Sequence, residues 1–352
     1  MTALSAEGAA DDPADRVPPA PAPVQPPVVP VAETVAETAV EPVVESPVDA
    51  AEVLVDGPWE HRFLAANGAR FHVAETGDGP LVLLLHGFPQ FWWSWRHQLP
   101  ALADAGYRAV AMDLRGYGAS DKPPRGYDTL TLAADVAGVI RTLGAGDAVV
   151  VGHDWGGWLA WSLPSIAPRI TRAVAVASMA HPLAMRTAMG RRGQREALAD
   201  VFRFQLPMLP ERRLSSGDGV RDVLYGWSAD HSGDARNGAF PGPEALRRYR
   251  RAMRLPFVAH CSLEYYRWAV RSLPRADGRR FVAAVREPLT VPVLQLHGEL
   301  DPYVLPTTAL SSHRWAGDQL RYELISGAGH FLPEEAPQRV TALLLEWLAS
   351  LG

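Results

Sequence analysis

The sequence predicts an α/β fold: a mostly parallel sheet flanked by helices, with a helical cap inserted between two parts of the core. Two observations predict it. Beyond Trp59, short apolar runs alternate with segments of helical period, and between about Leu183 and Pro288 that rhythm gives way to arginine-rich helical patterns. Buried parallel strands read as short continuous apolar runs because helices cover both faces of their sheet.

Residues 1–57 come first, rich in Pro, Ala, Val and acidic side chains, as in Val17-Pro18-Pro19-Ala20-Pro21-Ala22-Pro23. Proline lacks a backbone donor and fixes φ, so this density predicts a disordered, partly polyproline-like tail. A solubilising extension without chemistry is the simpler reading of that tail, a docking or spacing role the alternative.

The core is expected over residues 58–182 and 287–352. Its strands are the runs Leu81 to Leu85, Ala109 to Met112, Ala148 to Val151, Ala173 to Ala177 and Val291 to Leu296, mostly bounded by Gly, Pro or charged residues. The helical cap is expected over residues 183–286, with patterns such as Glu244 to Leu255 and Ser262 to Leu273. Its arginines at 191, 192, 195, 212 and 213 are read as solvated helix faces.

Composition narrows the function. With 352 residues, 47% of them hydrophobic, the chain can bury a large core, and a formal charge of −5 argues against a nucleic-acid partner. Cys261 is the sole cysteine, which excludes an intrachain disulfide and makes a reducing cytoplasm the expected compartment. No apolar run is long enough to cross a bilayer, and no His/Cys/Asp/Glu group has metal-ligand spacing. The oligomeric state is not readable from the sequence.

The sharpest signal is Val149-Val150-Val151-Gly152-His153-Asp154-Trp155-Gly156-Gly157, a strand running through Gly-X-Asp-X-Gly into a helix. This is the form of a nucleophile elbow, a tight strand-to-helix turn that needs small flanking residues, here with Asp in place of Ser. A carboxylate at a helix N-terminus is favoured by the dipole and by unpaired N–H groups. It can attack an electrophilic carbon and leave an ester on the enzyme, splitting one hard hydrolysis into two steps. On its own, Asp154 could equally be a helix cap.

Two downstream segments decide between these readings. Val293-Leu294-Gln295-Leu296-His297-Gly298-Glu299-Leu300-Asp301 is a strand followed by a loop acid, and Gly327-Ala328-Gly329-His330 supplies a histidine. The order nucleophile, acid, histidine is that of a hydrolase triad on an α/β sheet. Leu84-Leu85-His86-Gly87-Phe88-Pro89 adds a strand-end loop, so that the N–H groups of Phe88 and Trp155 are candidates for an oxyanion hole. His97, His153 and His297 are read as packing or loop residues, since the triad already has its base.

Taken together, His86-Gly87-Phe88-Pro89-Gln90 with Trp92 and Trp95-Arg96, Gly152-His153-Asp154-Trp155-Gly156-Gly157, Asp301 and His330 resemble the soluble epoxide hydrolases of the α/β-hydrolase fold superfamily. The resemblance runs from about Trp59 to the end. Met112-Asp113-Leu114-Arg115-Gly116-Tyr117-Gly118-Ala119-Ser120-Asp121-Lys122-Pro123 matches a further loop of that family and is read as structural.

The resemblance implies that Asp154 opens an epoxide while a cap tyrosine protonates the departing oxygen, after which His330, supported by Asp301, activates water against the ester. No cofactor or metal is implied, and the substrate is a hydrophobic small-molecule epoxide with water as co-reactant. Tyr266 falls where the family places one ring-opening tyrosine. The family's second tyrosine is replaced by Asp200, so either another residue such as Tyr225 assists Tyr266 or one donor holds the oxygen. His86, Pro89, Trp92 and Tyr225 are assigned to substrate binding, and Phe91, Trp93 and Trp95 to the apolar surroundings of the pocket.

Three other readings stay open. A haloalkane dehalogenase uses the same nucleophile, but commonly carries Asn where this chain has Phe88. A serine esterase is disfavoured by Asp154, and a hydrolase-fold binding protein without turnover is disfavoured by the complete triad.

Overall fold

The computed structural model describes residues 48–230 and 240–352. Eight strands form one sheet: β1 (Glu60–Ala66), β2 (Ala69–Thr76), β3 (Leu81–Leu85), β4 (Arg108–Met112), β5 (Ala148–His153), β6 (Thr171–Ala177), β7 (Val293–Gly298) and β8 (Leu320–Ile325). Their spatial order is β1-β2-β4-β3-β5-β6-β7-β8. The pairs β1–β2 and β2–β4 are antiparallel, and the remaining pairs from β4 to β8 are parallel. This is the mostly parallel, helix-covered sheet that the sequence predicts.

The central strands follow from their composition. All five residues of β3 and all six of β5 and of β7 are buried. Each fully buried Val or Leu contributes roughly 1.5–3 kcal/mol before the entropy of ordering the chain is set against it. The five predicted apolar runs coincide with β3, β4, β5, β6 and β7 to within two residues at each end.

Registration carries the chemistry to one edge. Leu85 lies opposite Gly152, His153 opposite Ala177, and Ala177 opposite Leu296. The loops leaving the carboxyl ends of β3, β5 and β7 therefore start side by side, at the edge where open α/β sheets bind ligands.

Between β6 and β7 the described residues are helical, from Pro182–Ala188 through Val258–Arg271 to Ala276–Ala284. The predicted helical patterns at 244–255 and 262–273 correspond to Pro243–Arg254 and Val258–Arg271. This inserted segment is fastened to the core at buried Glu334. Gln90 Nε2 (2.7 Å) and Arg96 Nη1 (2.8 Å) donate to its carboxylate, as does the Tyr249 hydroxyl from Pro243–Arg254.

The tail reading needs a correction at its end. Residues 1–47 lie outside the described residues, but 48–57 are ordered against the core. Asp49 caps a helical turn, Ala50–Val53, whose Val53 is buried. Trp92 Nε1 donates to the Val53 carbonyl and Trp59 Nε1 to the Val55 carbonyl, both at 2.8 Å. The physical reason is local: no proline stands between Pro47 and Pro58, and Val48, Val53, Leu54 and Val55 supply apolar surface to bury.

Candidate active site

Asp154 sits between β5 and the helix Trp155–Ile166 with φ 49° and ψ −115°. Such a backbone is costly for a residue with a Cβ and persists only where its surroundings enforce it. Here two glycines permit the close backbone packing around it. A Cβ on Gly152 would stand 2.1 Å from the Gly156 carbonyl oxygen, and one on Gly156 would stand 2.1 Å from that of Leu85. Gly152→Ala is expected to destabilise the protein by roughly 1–3 kcal/mol or more, read as a lower midpoint in denaturant unfolding.

The Asp154 carboxylate is fully buried, and its two oxygens have different surroundings. Oδ2 accepts a hydrogen bond from the Phe88 N–H at 2.8 Å. Oδ1 has no hydrogen-bond partner among the described residues and faces His330 Nε2 at 3.7 Å, beyond hydrogen-bonding distance. Trp155 opens the following helix, where the first N–H groups have no intrahelical acceptor.

His330 follows β8 and receives Asp301 from the loop after β7. Its Nδ1 lies 2.9 Å from Asp301 Oδ2, while Asp301 Oδ1 accepts the backbone N–H groups of Tyr303 and Val304, each at 2.9 Å. The bond to Asp301 sets the tautomer, leaving Nε2 directed at Asp154. Burial works against the imidazolium. The charge of Asp301, with further contributions from Asp154, outweighs burial and pushes the His330 pKa up to about 10. The His330 backbone is also held. Glu335 accepts the N–H groups of Gly329 (2.9 Å) and Phe331 (2.8 Å), and His153 Nε2 donates to the His330 carbonyl at 2.8 Å. His153 is itself pushed down to about 4, by burial first and by the His330 charge second, so it is neutral.

Tyr266, on Val258–Arg271, hangs over the nucleophile with its ring edge-on to Phe88 (5.2 Å) and Trp155 (5.1 Å). Its hydroxyl is buried and has no well-formed hydrogen bond among the described residues. Burial pushes the phenol well above 10, and neighbouring Tyr303 and Asp154 act in the same direction, so it is a donor at neutral pH. Arg267 fixes this stretch, donating to the carbonyls of Phe204 (3.2 Å) and Leu206 (3.0 Å).

Asp154, Tyr266 and Trp155 line a small, largely apolar cavity of about 90 Å³ together with Met179, Leu183 and Val201. The structure thus brings Asp154, Asp301, His330, Tyr266, Phe88 and Trp155 together. It does not bring His86, Pro89, Trp92 or Tyr225 to the walls of that cavity. His86 is spent internally: Nδ1 faces the Gly87 carbonyl (2.9 Å) and Nε2 accepts the Leu114 N–H (3.1 Å). Pro89 follows a cis peptide in the same loop.

Trp92 faces the 48–57 segment, and Tyr225 is half-buried beside Arg221. Phe91 and Trp93 pack on Tyr249. Phe91 and Trp93 thus lie where the loop after β3 meets the helix Pro243–Arg254. The loop after β4 is structural as expected, with Asp113 accepting the N–H groups of Trp92 and Ala119, both at 2.9 Å, and pairing with His72.

Tyr303 is the residue that sequence reasoning missed. It lines the same cavity, two positions after Asp301, and its ring stacks on Trp227 with centroids 3.8 Å apart. Only its spacing from the triad acid could have marked it.

This fold and this site define a hydrolase-fold protein whose nucleophile position holds a carboxylate served by a histidine–aspartate pair. The family model described as alpha/beta hydrolase fold matches residues 80–337. The AB hydrolase superfamily protein YfhM of Bacillus subtilis is 34% identical over 82% of this chain and 97% of its own length. Epoxide hydrolase A of Mycobacterium tuberculosis is 35% identical with the same coverage, 82% and 97%. Among solved structures, an epoxide hydrolase from an endophytic Streptomyces superposes with a TM-score of 0.71 at 32% identity, covering 84% of this chain and 97% of that one. The chain belongs to the α/β-hydrolase fold family and, within it, to the epoxide hydrolases.

Proposed function

We propose that this chain opens apolar epoxides to vicinal diols through an ester on Asp154. The observation that carries this reading is that three buried polar atoms without well-formed hydrogen bonds among the described residues, Asp154 Oδ1, His330 Nε2 and Tyr266 Oη, belong to residues gathered at the carboxyl edge of the sheet. Buried polar atoms are normally paired, and exceptions gather where chemistry needs them available.

In the first step Asp154 Oδ1 attacks an epoxide carbon from the side opposite its C–O bond. That bond breaks, its electron pair stays on oxygen, and the Tyr266 phenol transfers a proton to it. The tyrosinate regains a proton by way of solvent, and His330, its imidazolium no longer held by the Asp154 charge, gives one up and is left neutral. Oδ2, already on the Phe88 N–H, becomes the carbonyl oxygen of the ester.

In the second step His330 Nε2 takes a proton from water, and the hydroxide adds to the ester carbon. The oxyanion is held by the N–H groups of Phe88 and Trp155. Collapse expels the diol oxygen, which takes the proton from His330; Asp154, released as the acid with one oxygen from water, passes its proton back to His330 and is again a carboxylate. The single buried cysteine, Cys261, supports a reducing compartment such as the cytoplasm. Among the described residues no helix is long and apolar enough to cross a membrane.

Dehalogenation of haloalkanes is a second reading, favoured by the indole N–H of Trp155, which is buried without a hydrogen-bond partner among the described residues and could hold a halide. Incubation with matched epoxides and haloalkanes separates the two: diol without halide release is expected. Halide release with intact epoxides would reverse the assignment.

A further inference from the structure

We infer that Tyr303, carried by the core loop next to the triad acid, is the second hydrogen-bond donor to the epoxide oxygen. This rests on the epoxide reading above. In this chain the early cap position holds Asp200, whose carboxylate accepts from Arg203 (2.8 Å) and Trp227 Nε1 (3.4 Å). Both its oxygens are engaged there as acceptors and it is not on the cavity wall, so Asp200 is not placed to donate to a ring oxygen. Tyr225 is not on the cavity wall.

Tyr303 meets the geometric requirements. It is 3% exposed and shares the cavity with Asp154 and Tyr266. Its ring is clamped between Trp227, stacked at 3.8 Å and 14°, and His330, edge-on at 5.0 Å and 79°. Its backbone is fixed on both sides: the N–H donates to Asp301 Oδ1 (2.9 Å), and the carbonyl accepts Gln194 Nε2 (2.7 Å). The phenol therefore projects from the rigid core, whereas Tyr266 comes from the cap. Burial first, then the Asp154 charge, pushes Tyr303 well above 10, and a hydrogen-bonding interaction with Tyr266 partly offsets this. Both phenols thus keep their protons at neutral pH, side by side.

During ring opening the C–O bond breaks, Tyr266 gives its proton to the oxygen, and the Tyr303 hydroxyl donates a hydrogen bond to the same oxygen without losing its proton. Donors placed where charge develops lower the barrier of that step alone. Because the same loop carries Asp301, the donor is positioned by the turn that positions the base.

The test is single-turnover kinetics on an epoxide that the unaltered protein hydrolyses, with ester formation isolated in a His330→Gln background. Tyr303→Phe is expected to slow ester formation about 10- to 100-fold and to leave ester hydrolysis unchanged. Tyr303→His, which keeps a ring donor, is expected to recover part of the rate, and it also serves if Tyr303→Phe melts early. Ester formation at the unaltered rate in Tyr303→Phe, or equal slowing of both steps, would overturn the inference while leaving the epoxide reading intact. An unaltered protein inactive on every epoxide would overturn both.

Discussion

Asp154→Asn is expected to lower epoxide turnover about 10⁴-fold or more, the scale seen when a covalent nucleophile is removed. The amide has nearly the shape of the carboxylate, and its oxygen can still accept the Phe88 N–H that now binds Oδ2. Packing at the strained turn is therefore kept while the attacking oxygen is lost. The variant should fold, with an unfolding midpoint close to that of the unaltered chain. Loss of activity with loss of fold would say little; loss with retained fold assigns the chemistry to this side chain. Turnover within tenfold of normal, about 1.4 kcal/mol in barrier, would contradict it.

His330→Gln has the second large expected effect, and it is qualitative. In the proposed mechanism ring opening uses Asp154 and the phenols, whereas ester hydrolysis uses a base on the water. The variant should therefore complete the first step and stop, and intact-protein mass spectrometry should find Asp154 heavier by the whole epoxide. A haloalkane would instead add only its alkyl part. No adduct with any epoxide, from a folded variant, would contradict the order of steps.

A pH dependence follows from the same residue. In the resting enzyme the Asp301 charge, aided by Asp154, holds His330 up to about 10. Once Asp154 is an ester its charge is gone, so its share of that rise disappears and the His330 pKa falls. Only neutral imidazole can accept the proton from water, so the hydrolysis rate should rise with pH and level off above an apparent pKa lower than that of the resting enzyme. Stopped-flow measurement of ester decay checks this. A rate still climbing at the resting value would show that alkylation does not unload the histidine.

The central strands and the triad are legible in the sequence because both depend on local pattern. Five-residue runs such as Leu81–Leu85 have no polar residue to expose, and Gly152 and Gly156 mark a turn that admits no Cβ. The edge strands are not legible. β1, with only Leu64 and Ala66 buried, and β8, with only Ile325 buried, face solvent and lack an apolar run.

Substrate contacts are harder still, because a pocket wall depends on how cap and core meet. Trp92 stands next to a catalytic loop in sequence yet faces the 48–57 segment, while Tyr303 reaches the cavity from the far side of the triad acid. Proximity to a motif along the chain predicts backbone roles well, since these are local, and side-chain roles across an interface poorly.

The central claim is tested most directly by one catalytic cycle in water enriched in oxygen-18, with enzyme in excess over an epoxide, followed by mass analysis of the peptide that contains Asp154. The account predicts one heavy oxygen in that carboxylate and unlabelled diol, because water attacks the ester carbon and leaves one of its atoms behind. Heavy oxygen in the diol with an unlabelled Asp154 would mean direct attack of water on the epoxide and would contradict the account.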